Sequence, residues 1–441
     1  MTGAPPAGIW NAFTPMARYD SEPRLIIDRA EGNRLIDRDG REYIDAVASI
    51  WAIVHGHGHP HIVEAIRRQA ERLQHSTLLG AAHSPALELT ERLAAHVPGG
   101  LTRFFYSSDG ASAVEAALKM ALQYWVNTGR PERRRFAVME MAYHGDTLGA
   151  ASLGGEGPFR KPYESAMFEP LRFANPHSRG CGLCSPESGC SLACVGSLER
   201  LLDQHAGEIA AVVVEPRVQG AAGIVVAPEG HLRRVAGLCR SHGVLLIADE
   251  VATGFGKTGA MFACDLEGVS PDIMVLGKGI SGGCLPLSAT VASEEVYGAF
   301  HDPHDYGKTL YHGHTYGGNP IACAAALASL DIFEGEPVLE RVAGRASFLG
   351  GKLSEALGGH PLVGAIRQQG LMAAVDIEAA PEQAAWRACL KARDRGVFVR
   401  PIGDTVVVMP PLSIEETELA QICEAVRHGL DSVVRSAPAL G

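Results

Sequence analysis

Two residues far apart in the chain have the types and settings that covalent chemistry on a carbonyl needs. Asp249 follows the run Val244-Leu245-Leu246-Ile247-Ala248, which is short, apolar and bounded by Gly243, and so reads as a buried parallel strand. Open α/β sheets bind ligands at the carboxyl ends of their strands, so Asp249 and Glu250 stand where a carboxylate serves chemistry rather than solubility. A second apolar strand, Ile273-Met274-Val275-Leu276, delivers Gly277-Lys278-Gly279. A lysine between glycines at a buried strand end has room and little water, the setting in which an amine stays partly neutral and attacks a carbonyl. The chain between Asp249 and Lys278 suffices for a strand end, a loop crossover and the next strand. The competing account is a strand-end acid and a loop lysine with no joint role, and the pair taken alone does not decide between the two.

The elements that must position this pair are legible as strands alternating with helices. Arg103 to Tyr106, Phe136 to Met139 and Ala211 to Val214 read as strands. With Ala113 to Trp125 and the other helical stretches between them, they predict a mainly parallel sheet with helices on both faces. The turn Ser107-Ser108-Asp109-Gly110-Ala111-Ser112 opens the helix at Ala113, and such a polar start offers free N–H groups to an anion; an ordinary helix cap is the bland alternative. Tyr143 and His144, at a strand exit, suit stacking on a flat ring, and His144 equally suits a satisfied structural role. Gln219, in a glycine-rich stretch, can hydrogen-bond a phenolic oxygen. Upstream, Arg34 to Ile44 reads as a hairpin about an Asp-Gly turn, followed by an amphipathic helix from Pro60 to about Leu79 and another from Leu87 to His96.

Past Lys278, a loop rich in His, Asp and Tyr precedes the small-residue helix Ile321 to Phe333. Its Asp302, Asp305, His312 and His314 lack the compact spacing of a metal site. From about Glu334 the pattern becomes amphipathic helices interleaved with short strands at Val363 to Gln368, Leu371 to Ile377, Val397 to Arg400 and Val406 to Met409. Three parts follow: residues 1–65 as the N-terminal portion of a small domain, 66–333 as the large domain, and 334–441 as the C-terminal portion of the small one. Arg400 sits at a strand end before a proline, where it is either a guanidinium fork for a carboxylate or a surface ion pair.

With 46% hydrophobic and 20% charged residues, the composition is that of a globular protein and not a disordered one. The formal net charge of −11 excludes the basic face that nucleic-acid binding needs. No apolar run reaches membrane-spanning length, and the start MTGAPPAGIW lacks a basic segment followed by an apolar core; a cytoplasmic protein is expected. Six of the ten cysteines (Cys239, Cys264, Cys284, Cys323, Cys389 and Cys423) are scattered among apolar or small residues, as reduced thiols are. The other four, Cys181, Cys184, Cys190 and Cys194, form C-x2-C-x5-C-x3-C in an insertion over about 177–195, a ligand count for structural zinc or an iron–sulfur cluster. The blander account is a turn-rich insertion with disulfides or free thiols.

Asp249, Gly254-Phe255-Gly256-Lys257-Thr258-Gly259 and glycine-flanked Lys278 together resemble the class III aminotransferases, enzymes of pyridoxal 5'-phosphate (PLP) fold type I. The resemblance spans nearly the whole chain. It implies an α/β large domain, a small α+β domain made from both termini, and PLP as cofactor. Lys278 would form the Schiff base and move the proton, and Asp249 would keep the pyridine nitrogen protonated. Gly110, Ala111, Tyr143, Gln219, His314 and Thr315 would complete the cofactor pocket, Thr315 binding the phosphate in the neighbouring subunit of a homodimer with shared active sites. Within the class, Met120 to Trp125, Tyr143 to Thr147, Val218 to Ala221 and Arg400-Pro401 with Met409-Pro410-Pro411 are similar to the 7,8-diaminopelargonate synthases, which aminate 8-amino-7-oxononanoate in biotin synthesis. That likeness implies that Arg400 grips the keto acid's distal carboxylate, that Trp51 and Tyr143 line the channel for its chain, and that Phe13 and Gly313 complete the substrate site. Phe13, Ile50-Trp51, Gly110-Ala111 and His314 are more like the lysine-using branch than the adenosylmethionine-using one. Lysine is therefore the favoured amino donor, with adenosylmethionine next. Lys257 stands where arginine is usual and Arg217 where an apolar residue is usual. A broad-specificity omega-amine or diamine transaminase would share every cofactor motif and differ in pocket residues such as Ile50, Arg217 and Ile402.

Overall fold

The computed structural model describes residues 8–21, 25–176, 183–184, 190–303, 306–378 and 381–436. At its centre is a seven-stranded sheet in the order Leu101–Ser107, Ser288–Ser293, Ile273–Leu276, Leu245–Asp249, Ile209–Val214, Arg135–Met139, Leu171–Phe173. Only Ser288–Ser293 runs against the others, pairing antiparallel with both of its neighbours. Alternate residues of the central strands feed opposite faces. Val138, Val213, Ile247 and Val275 pack with the helix Gly110–Asn127, whereas Met139, Val212, Leu246 and Ala248 pack with Val195–His205 and His231–Ser241. The strands are buried on both faces, which is why they read as unbroken apolar runs. This is the α/β architecture that the alternation of strands and helices predicts.

Two four-stranded sheets flank it. One joins Ile27–Glu31, Arg34–Asp37 and Glu42–Asp45 to Val397–Phe398, so the two ends of the chain share a sheet. The hairpin about Asp39-Gly40 is present, Gly40 adopting φ +82° in its turn. The other sheet runs Val363–Gln369, Met372–Ile377, Thr405–Val408, Arg400–Ile402.

Two expectations need correction. The helix expected to reach Leu79 ends at Arg72, where Leu73 turns extended and Gln69 Nε2 donates to its carbonyl. Beyond it the chain is drawn to another loop: Asn319 Nδ2 donates to the Gln74 carbonyl and the His75 and Tyr316 rings lie 4.9 Å apart. The single strand expected from Val397 to Arg400 is two strands in different sheets, dividing at buried Val399. Pro401 lies in the edge strand, where a missing N–H costs no ladder bond.

Candidate active site

The carboxyl ends of the central strands open on a cavity of about 480 Å³ whose walls include Lys278, Asp249, Gly110, Ala111, Tyr143 and Trp51. The sequence assigned these six residues to one site from segments spread across the chain. His144, Asp146, Glu215 and Val251 border it as well.

Asp249 ends its strand with both carboxylate oxygens engaged. His144 Nδ1 lies 2.7 Å from Oδ2, and the Val251 N–H donates to Oδ1 at 3.0 Å. Burial works against a charged His144, but the bond to Asp249 and its charge hold the imidazole above its usual range. Glu215, fully buried, accepts the Tyr143 N–H at 3.1 Å and the Gly220 N–H at 2.9 Å, and burial pushes its carboxyl up to about 7. Tyr143 OH donates to Asp146 at 2.8 Å. Burial lowers the Lys278 ammonium from the ordinary lysine range, against the pull of Asp249, Glu215 and Asp146. Its backbone is left-handed, φ +43°, a conformation that non-glycine residues adopt rarely and mostly where function requires it.

The helix Gly110–Asn127 points its start at the cavity. Asp109 caps the Ser112 N–H at 2.9 Å, and the N–H groups of Gly110 and Ala111 belong to the first turn, which finds no partners within its own helix. A side chain at Gly110 would put its Cβ 2.7 Å from Val251 Cγ1, so only glycine lets this helix start approach the strand ends so closely.

Trp51 reaches the cavity from a left-handed turn. Ala48, Ser49, Ile50 and Trp51 have φ of +47°, +46°, +65° and +67°. Left-handed backbone costs an L-residue roughly 1–2 kcal/mol each, so surrounding contacts must enforce the turn. The Lys278 Nζ lies 5.3 Å from the centre of the Trp51 indole. On the other side the indole lies against Gly220, where a Cβ would stand 3.0 Å from Cζ3.

Polar atoms left without partners fit a planar, phosphorylated pyridine aldehyde. His144 Nε2 and both amide atoms of Gln219 are buried without a hydrogen-bond partner among the described residues. With an amine, a carboxylate and a helix start around one cavity, the donor set matches PLP group by group.

The other expected site residues, buried Gln219 among them, lie outside this cavity wall. Phe13, 60% exposed, reaches it indirectly: its ring packs edge-on to Phe159 at 5.7 Å, and Phe159 packs on Tyr143 at 5.6 Å. Gly313, His314 and Thr315 are exposed. The loop that carries them is tied to the helix Gly110–Asn127 by Lys119 Nζ, which donates to the Tyr311 carbonyl at 2.7 Å. Arg400 is partly buried, its guanidinium lowered by that burial and without an ion-pair or hydrogen-bond partner among the described residues. Sequence reasoning missed Phe159 and the part played by Glu215; a buried acid at a strand end, before Pro216, was the available signal for the second. Cys181 lies outside the described residues. Among those described, no group of three or more His, Cys, Asp or Glu residues could hold a metal ion. Asp305, of the loop weighed as a metal site, also lies outside them.

The fold and cavity define a PLP-dependent aminotransferase. The family model "Aminotransferase class-III" matches residues 16–430, and the chain belongs to that family. It is 49% identical, over 97% of its length and 81% of the relative's, to an adenosylmethionine-8-amino-7-oxononanoate aminotransferase of Nitratidesulfovibrio vulgaris. The crystal structure of an enzyme with the same name from Methanocaldococcus jannaschii superposes with a TM-score of 0.91 at 39% identity, covering 96% of this chain and 97% of that one. An amine transaminase from an uncultivated Pseudomonas species, in its PLP-bound form, superposes with a TM-score of 0.90 at 33% identity, covering 97% and 99%. No helix among the described residues is long and apolar enough to cross a membrane.

Proposed function

We propose that the protein aminates 8-amino-7-oxononanoate to 7,8-diaminononanoate, a step of biotin synthesis in the cytoplasm, with lysine as amino donor. The observation that carries the reaction type is the meeting of Lys278 and Asp249 at one cavity beside a free helix start. The acceptor rests on the similarity to enzymes whose names specify it. PLP, when bound, supplies an aldehyde for amine capture and a ring that accepts electrons.

Each residue then has a stated task. Lys278 Nζ, whose ammonium form burial disfavours, would carry the proton between the substrate carbon that bears the nitrogen and the aldehyde carbon of the cofactor, and in the opposite direction when the acceptor is aminated. Asp249, fixed by His144 and the Val251 N–H, presents negative charge to a protonated ring nitrogen. Gly110 and Ala111 offer N–H groups to the phosphate. Gln219, its amide without a partner among the described residues, serves the phenolic oxygen. Tyr143, held by Asp146, and Trp51 exclude water along the alkyl chain, with Phe13 and Phe159 behind them. Arg400, without a partner among the described residues, takes the distal carboxylate. Gly313, His314 and Thr315 serve the site of a second subunit in a homodimer, Thr315 on its phosphate; their exposure in the single chain supports this.

Lysine as donor rests on Phe13, Ile50-Trp51, Ala111 and His314. Adenosylmethionine is the second reading, favoured by the relatives' names. A broad amine transaminase is the third, favoured by the likeness to the Pseudomonas enzyme. A panel of lysine, adenosylmethionine and simple diamines with 8-amino-7-oxononanoate as acceptor separates them. Lysine-driven turnover is the expected result; turnover of diamines with other keto acids but none with this acceptor sinks the proposal.

A further inference from the structure

The left-handed turn Ala48–Trp51 is held from both ends by buried titratable groups that the chemistry at Lys278 does not use. At its entrance the Asp45 carboxylate, fully buried, accepts the Ser49 hydroxyl at 2.7 Å and the Val47 N–H at 3.4 Å, and is itself held by His57 Nε2 at 2.9 Å. At its exit Lys257, 1% exposed, donates from Nζ to the Ile53 carbonyl at 2.8 Å and to the Pro410 carbonyl at 3.4 Å. Pro410 follows the strand Thr405–Val408, which pairs with the strand of Arg400. Gly283 completes the fit, since a Cβ there would stand 2.3 Å from the Ala52 carbonyl oxygen. A polar amine buried against two carbonyls is costly to desolvate, burial lowering Lys257 to about 7, and an apolar residue of similar length avoids that cost. The donor at Lys257 therefore calls for a task beyond filling space.

We propose that Asp45 and Lys257 are positioning residues that together clamp the left-handed turn, holding the Trp51 indole over Lys278 and against Gly220 and so setting the width of the substrate channel. The clamp also links the Trp51 segment to the strand pair that carries Arg400, so both ends of a chain-like substrate are registered through one buried amine. The proposal rests on the proposed function only in naming the substrate that the indole meets.

The test uses the PLP-loaded enzyme and Lys257→Met. The KM for 8-amino-7-oxononanoate is expected to rise about tenfold with kcat kept within about threefold, as for a misplaced contact remote from the reacting atoms. The Trp51 emission, read as the difference between each protein and the same protein carrying Trp51→Phe, is expected to shift to the red. Lys257→Arg, which keeps N–H donors at this place, should restore both readouts. Adding Ala48→Gly to Lys257→Met should recover part of the loss, because glycine accepts the left-handed conformation without strain and Ala48 makes no side-chain bond to Asp45. A merely space-filling Lys257 would gain nothing from a glycine in that turn.

Unshifted Trp51 emission in Lys257→Met, or a KM defect that Ala48→Gly leaves untouched, overturns the proposal. The emission readout needs no substrate, so it judges the clamp even where wild-type enzyme fails to turn over 8-amino-7-oxononanoate, a failure that would count against the function alone. Where Lys257→Met does not fold, the exposed Ser49→Ala, which removes one of the bonds to Asp45, should give a smaller red shift; no shift there overturns the proposal as well.

Discussion

The floor of the cavity and its rim are built on opposite terms. The floor, comprising Asp249, His144, Glu215, Lys278 and the start of the helix at Gly110, is buried or half-buried and cross-bonded within one chain. The rim residues Phe13, Gly313, His314 and Thr315 are exposed and outside the cavity wall. A floor at the ends of parallel strands is complete as soon as the sheet is. The proposed homodimer would give the exposed rim a second surface, so that on this proposal one chain can be read for chemistry while substrate selection waits on a partner.

The largest expected effect breaks the floor. Lys278→Ala should lower turnover by roughly 10³-fold or more, at the upper end of what a positioned acid–base group contributes, and should abolish the visible absorption of the PLP-loaded enzyme. Mixing subunits then tests the rim. Lys278→Ala and Thr315→Ala proteins, each poorly active, should regain activity when mixed under conditions of subunit exchange, because half of the sites in a mixed dimer are intact; random pairing gives about a quarter of wild-type activity. No recovery would show that each chain works alone. Next in size, Arg400→Ala should raise the KM for the keto acid roughly tenfold to a hundredfold, the worth of a lost charge-assisted hydrogen bond, with little effect on lysine as donor.

The smallest effect sets histidines buried away from the cavity against the exposed rim by acid. Burial holds His231 down at about 4 and His55 at about 3, against an ordinary value of 6.5. The unfolded chain therefore binds more protons than the folded one below pH 6.5, and stability, complete above that pH, is lost as pH falls toward 4. For His231 the loss is on the order of 1–3 kcal/mol. His231→Gln should flatten the fall of Tm between pH 6.5 and 4, while a Thr315 variant, altered at an exposed position, should follow wild type.

The parts of the floor that were legible in the sequence are local. Asp249 and Lys278 each close an apolar run, and a run buried on both faces is hard to mistake. The turn at Trp51 was not legible, because four non-glycine residues in left-handed backbone contradict every local preference; contacts from Asp45 and Lys257 decide the matter. The division of 397–402 between two sheets escaped for a related reason, since β-type residues declare a strand and not its partner. Glu215 was visible as a residue but not as a brace, because its two N–H donors come from Tyr143 and Gly220, only one of them nearby in sequence.

The sheet shared by the two ends of the chain has a consequence for how the protein is made. Val397 pairs with Ile44, and the antiparallel Ser288–Ser293 must insert between Leu101–Ser107 and Ile273–Leu276. Both pairings close very long loops, the arrangement that slows folding and prolongs exposure of unpaired edges. During synthesis the N-terminal hairpin therefore waits, its edge open, until Val397 has left the ribosome. That is the interval in which a chaperone has most to do, and a nascent chain truncated before Val397 would leave it open permanently.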